Sequence, residues 1–204
     1  MFDIINKILS GRIDNDIREK ERNIFFLAFD SILRCNDNRV LYISTPITTG
    51  YRLISWVKDL NKIDSYLEYK HLHEKNVILP NIEEARKKIK QIMVNAGSYI
   101  IIEPTTVKMN GWNQLDYIYF WAEVINKYVN KVIFLNGWEY SNGCCAELLV
   151  AILLKLEIAT EQGLLTVDKA IEKIKSGIMD LNNANQDSSF IKKIYDILAE
   201  KPKT

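Results

Sequence analysis

Apolar residues recur along the chain in two alternating rhythms, one at helical spacing and one in short β-branched runs. Ile17, Ile24, Leu27, Ala28 and Ser31 lie near helical spacing and predict a helix over 14–35. Asn38 then turns the chain into RVLYIS at 39–44, a run typical of a buried strand. It ends in the polar loop 45–50, and helical spacing resumes over 54–67. The stretch 71–80 is ambiguous, with 77–79 readable as a short strand. Asn81 opens the next predicted helix as its N-cap, with Glu84 three residues on, Ile82, Ala85, Ile89, Ile92, Met93 and Ala96 as its stripe, and Gly97 as its stop. SYIIIE at 98–103 predicts a second strand, closed by Pro104. After a loop to Asn113 comes an aromatic-rich helix over 114–129, and KVIFL at 131–135 predicts a third strand. A turn at 136–142 leads to a helix over 143–156 and a short fourth strand at 158–160. Two amphipathic helices follow, one from Thr166 over 169–178 and one over 188–199.

Strands alternating with helices predict an α/β fold. The expected architecture is a Rossmann- or flavodoxin-like three-layer sandwich on a mainly parallel sheet of four to five strands, with extra N- and C-terminal helices. One domain over 1–204 is expected, with a core at 39–160 and helical extensions at 1–38 and 165–204. With 204 residues, 48% of them hydrophobic, the chain can build its core without a disulfide or structural metal, and disorder of the whole is excluded. Twenty-seven basic against 26 acidic residues leave +1, too little field to draw the protein onto nucleic acid. A small charged ligand met by a few local groups fits better. Cys35 and the adjacent Cys144 and Cys145 form no disulfide framework or zinc spacing, which suits a reducing cytoplasm. MFDIINKILSGR carries an acid at position 3 and no small-residue cleavage site, so no signal peptide is expected. The longest apolar run, 148–154, falls far short of the ~20 residues that cross a bilayer, so no membrane partner is expected. His71 and His73 sit two apart with no third ligand at sensible spacing, and neither metal nor cofactor is expected.

In parallel sheets ligands sit beyond the carboxyl ends of the strands, which directs attention to the loops 44–50, 103–113 and 136–143. The third is the most distinctive. Ser141 is a good N-cap, and Asn142 and Gly143 let a ligand approach the helix start, where free N–H groups and the dipole favour a phosphate or carboxylate. Glu147 follows inside the apolar sequence AELLVAILL, where a lone carboxylate needs either a partner or a task.

Two stretches carry a family resemblance. Tyr42-Ile43-Ser44-Thr45-Pro46-Ile47-Thr48-Thr49-Gly50 resembles the opening "YISGPITG" strand and loop of the nucleoside 2-deoxyribosyltransferase-like superfamily. Gly137-Trp138-Glu139-Tyr140-Ser141-Asn142-Gly143, followed by Ala146-Glu147, resembles its "GWE-S-GA--E" signature. The resemblance covers roughly residues 39–160. It implies an N-glycosidase or transferase that cleaves the N-glycosidic bond of a nucleotide or nucleoside. In that reading Glu147 is the nucleophile that forms a covalent glycosyl intermediate, and Tyr42 orients it. Ser141 and Gly143 receive a 5′-phosphate, while Ser44, Pro46, Ile47, Asn136 and Trp138 line the pocket. The sequence departs from the pattern at Thr45, where the family has glycine, and at Ala122 or Glu123, where many members carry an aspartate. Asp116 and Glu123 both stand as candidates for the general acid. The resemblance also admits a homo-oligomer.

Each residue also has a plainer reading. Glu147 could pair with a lysine, Ser141 could be a cap alone, Trp138 could close its turn by packing, and Asp116 could be a solvated helix charge. The adjacent cysteines read as small buried side chains. Trp112, Tyr117, Tyr119, Phe120 and Trp121 read as a core-facing stripe, and Arg86-Lys87-Lys88 as a solvated face. Two functional alternatives accompany the enzyme: a non-catalytic binder of a nucleotide-derived ligand, and a partner-dependent defence or toxin component on the same fold.

Overall fold

A computed structural model describes residues 16–33, 39–60 and 65–200, with the backbone alone for 16–18. The helices are α1 (Asp16–Leu33), α2 (Tyr51–Lys58), α3 (Tyr66–His73), α4 (Leu79–Asn95), α5 (Gln114–Tyr128), α6 (Asn142–Leu153), α7 (Val167–Asn183) and α8 (Ser189–Ala199). The strands are β1 (Val40–Ser44), β2 (Ile100–Ile102), β3 (Lys131–Phe134), β4 (Glu157–Thr160) and β5 (Gly163–Leu164). They form one sheet in the order β2-β1-β3-β4-β5, parallel except for the β4–β5 hairpin. The mainly parallel α/β layout and the strand positions agree with the hydrophobic pattern. The expected ends of the first helix at 14–15 and 34–35, together with Cys35, lie outside the described residues. No described helix is long and apolar enough to cross a membrane.

Strand β1 lies between β2 and β3 and is buried at all five positions. The two-residue period sends Leu41 and Ile43 to one face, where they pack with Ala85 and Ile89 of α4. Val40 and Tyr42 face the larger core formed with α1, α5, α6, α7 and α8. The aromatic stripe of α5 belongs to that core: Phe120 is fully enclosed, against Phe25, Phe26 and Phe29 of α1 and Trp121 of its own helix. Truncating such a ring to alanine costs about 3–5 kcal/mol. The C-terminal helices contribute Ile174, Ile191 and Ile194 to the same cluster, so they are built into the core rather than appended to it.

Two segments differ from the pattern-based expectation. Residues 54–67 are not one helix: α2 ends at Lys58 with Asp59 as its C-cap, and α3 starts from an N-cap at Ser65 whose side chain accepts from the Glu68 N–H. The stretch 77–79 is not a strand, and Asn81 is not an N-cap. Helix α3 runs into α4 through the π-turn Glu74–Ile78, which leaves Asn81 inside continuous helix. A short apolar run such as Val77-Ile78-Leu79 carries no period of its own, and burial within a helix satisfies it as well as a sheet would. Pro80 has no N–H to give to the preceding turn, and the helix is widened just before it.

Strand order places the site. From β1 the chain crosses to β2 on one side, then jumps back over β1 to β3 on the other. The loops after β1 and β3 therefore leave the sheet in opposite directions and open a crevice between them, where α/β sheets bind ligands.

Candidate active site

Ser44 ends β1 with Phe134 of β3 beside it in register, so its side chain stands at the carboxyl edge of the sheet. Tyr42 precedes it by two residues and shares its face. Over that face lies α6, whose stretch Cys144–Ala151 is buried throughout. Its start is set by Ser141, which has extended backbone and a side chain that accepts from the Cys144 N–H at 3.4 Å. Six residues past this cap, Glu147 points onto β1. The Tyr42 hydroxyl donates to Glu147 Oε1 at 2.7 Å, and the Ser44 hydroxyl donates to Oε2 at 2.6 Å. All three side chains are buried, with Glu147 5% exposed.

Burial dominates the electrostatics. It pushes the Glu147 carboxyl from an ordinary 4.5 up to about 7, against the opposing pull of the Ser44 and Tyr42 hydrogen bonds. The same burial, together with the nearby Glu147 charge, holds the Tyr42 phenol well above its usual range. The thiols of Cys144 and Cys145 are also raised, chiefly by burial. Both stay protonated, as small packed side chains should. A carboxyl poised near neutral pH and held by two hydroxyls is able to act as a nucleophile when ionised and as an acid when protonated.

The structure brings Glu147, Tyr42 and Ser44 together and places the other expected site residues elsewhere. Pro46 and Asn136 line a narrow crevice that opens toward α4, shared with Thr45, Asn81 and Leu135. Ile47 is half-buried, and its carbonyl accepts from Asn81. Trp138 is 2% exposed and packs its ring 5.4 Å from Phe134, which matches the plainer reading of a packed turn. Ser141 is 8% exposed and engaged as the cap. Gly143 is half-buried in the first turn of α6. Asp116 forms a capping box with Asn113: its carboxylate accepts from the Asn113 N–H at 2.8 Å, and Asn113 accepts from the Asp116 N–H at 3.1 Å. Glu123 pairs with Lys127 at 2.8 Å on the same helix. Both candidates for the general acid thus have structural employment. His71 and His73 lie on a helix rather than a strand, and the His73 ring bonds the Thr48 carbonyl.

Two contributions escaped the sequence. Ser44 was expected at a substrate and instead binds the carboxylate directly. Gly177 of α7 lies against the 138–140 turn so closely that a Cβ there would meet the Glu139 carbonyl oxygen at 2.7 Å. That helix therefore buttresses the turn leading into α6, assisted by a 2.8 Å bond from the Tyr140 hydroxyl to Asp180. Periodicity could have found Ser44 as a face-mate of Tyr42, whereas nothing local marks Gly177.

A family model described as a domain of unknown function (DUF4406) matches residues 79–160. The match runs from the start of α4 to the end of β4; it includes the 136–147 segment and leaves out Tyr42 and Ser44. No curated protein and no solved structure matches the chain.

Proposed function

We propose that the protein cleaves, or transfers, the N-glycosidic bond of a nucleotide or nucleoside, with Glu147 as the nucleophile. The reading is carried by one observation: a buried carboxylate at the switch point of the sheet, gripped through both oxygens by Tyr42 and Ser44. The resemblance of the 42–50 and 137–147 segments to the nucleoside 2-deoxyribosyltransferase-like superfamily supplies the substrate class. A Glu147 oxygen attacks C1′, the C1′–N pair departs with the base, and the base takes a proton from water as it leaves. Water or an acceptor base then attacks C1′ and releases the carboxylate. Two hydroxyl donors orient the nucleophile and leave its charge in place, which a cationic partner would not. At the start of α6 Gly143 offers its N–H and the positive dipole end to a 5′-phosphate, while the Ser141 N–H is held by the Trp138 carbonyl at 3.0 Å. At 5% exposure the carboxylate must be uncovered before C1′ can reach it, so turnover requires an opening at the strand ends.

A panel of nucleosides and nucleotides incubated with the protein, with free base measured by chromatography, tests the reading. Release by wild type and not by Glu147→Gln is expected, with a glycosyl adduct on Glu147 detectable by mass spectrometry. A second reading, non-catalytic binding of a nucleotide-derived ligand, is favoured by the capping role of Asp116 and the closed carboxylate. Tight binding by both proteins without base release would select it.

A further inference from the structure

The loop 45–50 leaves the sheet directly after Ser44 and lines the narrow crevice that opens toward α4 through Thr45, Pro46 and Gly50. It has no regular structure, yet its shape is set. The Asn81 side-chain amide donates to the Ile47 carbonyl at 3.0 Å and to the Thr49 carbonyl at 2.8 Å. Between them, the Thr48 carbonyl accepts from His73 Nε2 at 2.8 Å. With a carbonyl as partner, Nε2 carries the proton. Three successive carbonyls are thus held by two side chains of one helical rod. From the other side, Gly137 closes on the loop: a Cβ there would lie 3.1 Å from the Tyr51 nitrogen and 3.3 Å from Gly50 Cα.

The π-turn makes this grip possible. His73 and Asn81 are eight residues apart, and at 3.6 residues per turn they would point about 80° from one another. The i→i+5 turn between them, Glu74–Ile78, takes up one residue more per turn and brings both side chains to the loop. His73 is further fixed by stacking on Trp56 and Tyr69, with ring centroids at 5.6 and 5.7 Å.

We infer that Asn81 and His73 are positioning residues that preset loop 45–50, the segment that carries the chain away from Ser44, acting on substrate binding and not on the chemistry at Glu147. The inference rests on the glycosidase reading for its kinetic consequence alone; the grip itself is measurable without a substrate. Amide hydrogen exchange on the full chain is compared for wild type, Asn81→Asp, His73→Phe and His73→Gln. Asn81→Asp keeps the shape and loses both donors; His73→Phe keeps the ring stack and loses its donor, which His73→Gln restores. Peptides covering 45–50 are expected to exchange at least about tenfold faster in Asn81→Asp and His73→Phe, with β1 and α6 unchanged and His73→Gln near wild type. Unchanged exchange at 45–50, or acceleration spread evenly over the chain, overturns the inference. With the nucleotide that releases base in the panel, KM is expected to rise about tenfold in Asn81→Asp while kcat stays within about twofold. A kcat loss at constant KM overturns the inference too. If wild type releases no base from any nucleotide, the glycosidase reading falls and the exchange data still decide the grip.

Discussion

Replacing Glu147 by glutamine measures what the buried carboxylate costs. Folding carries the group from its ordinary 4.5 to about 7. Between those values the folded chain holds a proton that the unfolded chain has released, so stability falls as pH rises through this window. The penalty is absent below pH 4.5 and complete above about 7. At 1.36 kcal/mol per pKa unit, the rise from 4.5 to about 7 amounts to about 3 kcal/mol at pH 8. Glutamine has the same shape, its carbonyl accepts from Tyr42, and its amide donates to the Ser44 oxygen, whose hydroxyl is able to rotate. Glu147→Gln should therefore be the more stable protein by about 3 kcal/mol at pH 8, and equal to wild type within about 1 kcal/mol at pH 4. For a chain of this length that is a rise in melting temperature of about 6–12 °C at pH 8. Thermal melts of both proteins at pH 4, 6 and 8 read this directly. A variant that melts at or below wild type at pH 8, or a difference that does not change with pH, would refute the reasoning.

Ser44→Ala and Tyr42→Phe each remove a hydrogen bond that holds the Glu147 carboxyl down, so the acid limb of the rate profile should move to higher pH in both; a limb that stays fixed or moves down removes these hydroxyls from the site. Gly177→Ala drives a methyl into the Glu139 carbonyl and should cost about 1–3 kcal/mol in a urea melt, with base release falling as the 138–140 turn shifts. Asp116→Asn weakens the capping box and should lower stability by about 0.5–2 kcal/mol while base release stays near wild type; a hundredfold loss of release would restore Asp116 as the general acid.

Two similar tetrads show what the sequence makes legible and what it does not. Asn81-Ile82-Glu83-Glu84 and Asn113-Gln114-Leu115-Asp116 both offer an N-cap followed by an acid three residues on. The second is a capping box because the chain arrives from a turn at Gly111, whose φ is 79°. The first is mid-helix because residues 74–80 arrive already helical, and Asn81 is left to bond a loop more than thirty positions upstream. The local pattern is the same; the tertiary partner decides. β1 and α6 were readable because burial on both sides, or all round, writes a largely apolar run. Glu147 stood out for the complementary reason, as a charge inside such a run. The placements of Pro46, Asn136 and Trp138 were not readable, since neighbours in a loop share a motif without sharing a face.

The carboxylate is a local conflict, and its form bears on function. Cys144–Ala151 is the most enclosed helical stretch of the described chain, and Glu147 is its one charged residue. A buried acid that serves packing alone is normally neutralised by a cation, which lowers its pKa. Glu147 has hydroxyls in place of a cation: they fix both oxygens, offset only part of the burial, and leave the pKa at about 7. Glutamine would fill the same space and keep both hydroxyls paired at less cost in stability. What distinguishes glutamate from it is a negative charge that is oriented, weakly solvated and available near neutral pH. That charge sits where the strand order opens the sheet, the edge at which α/β folds bind their ligands.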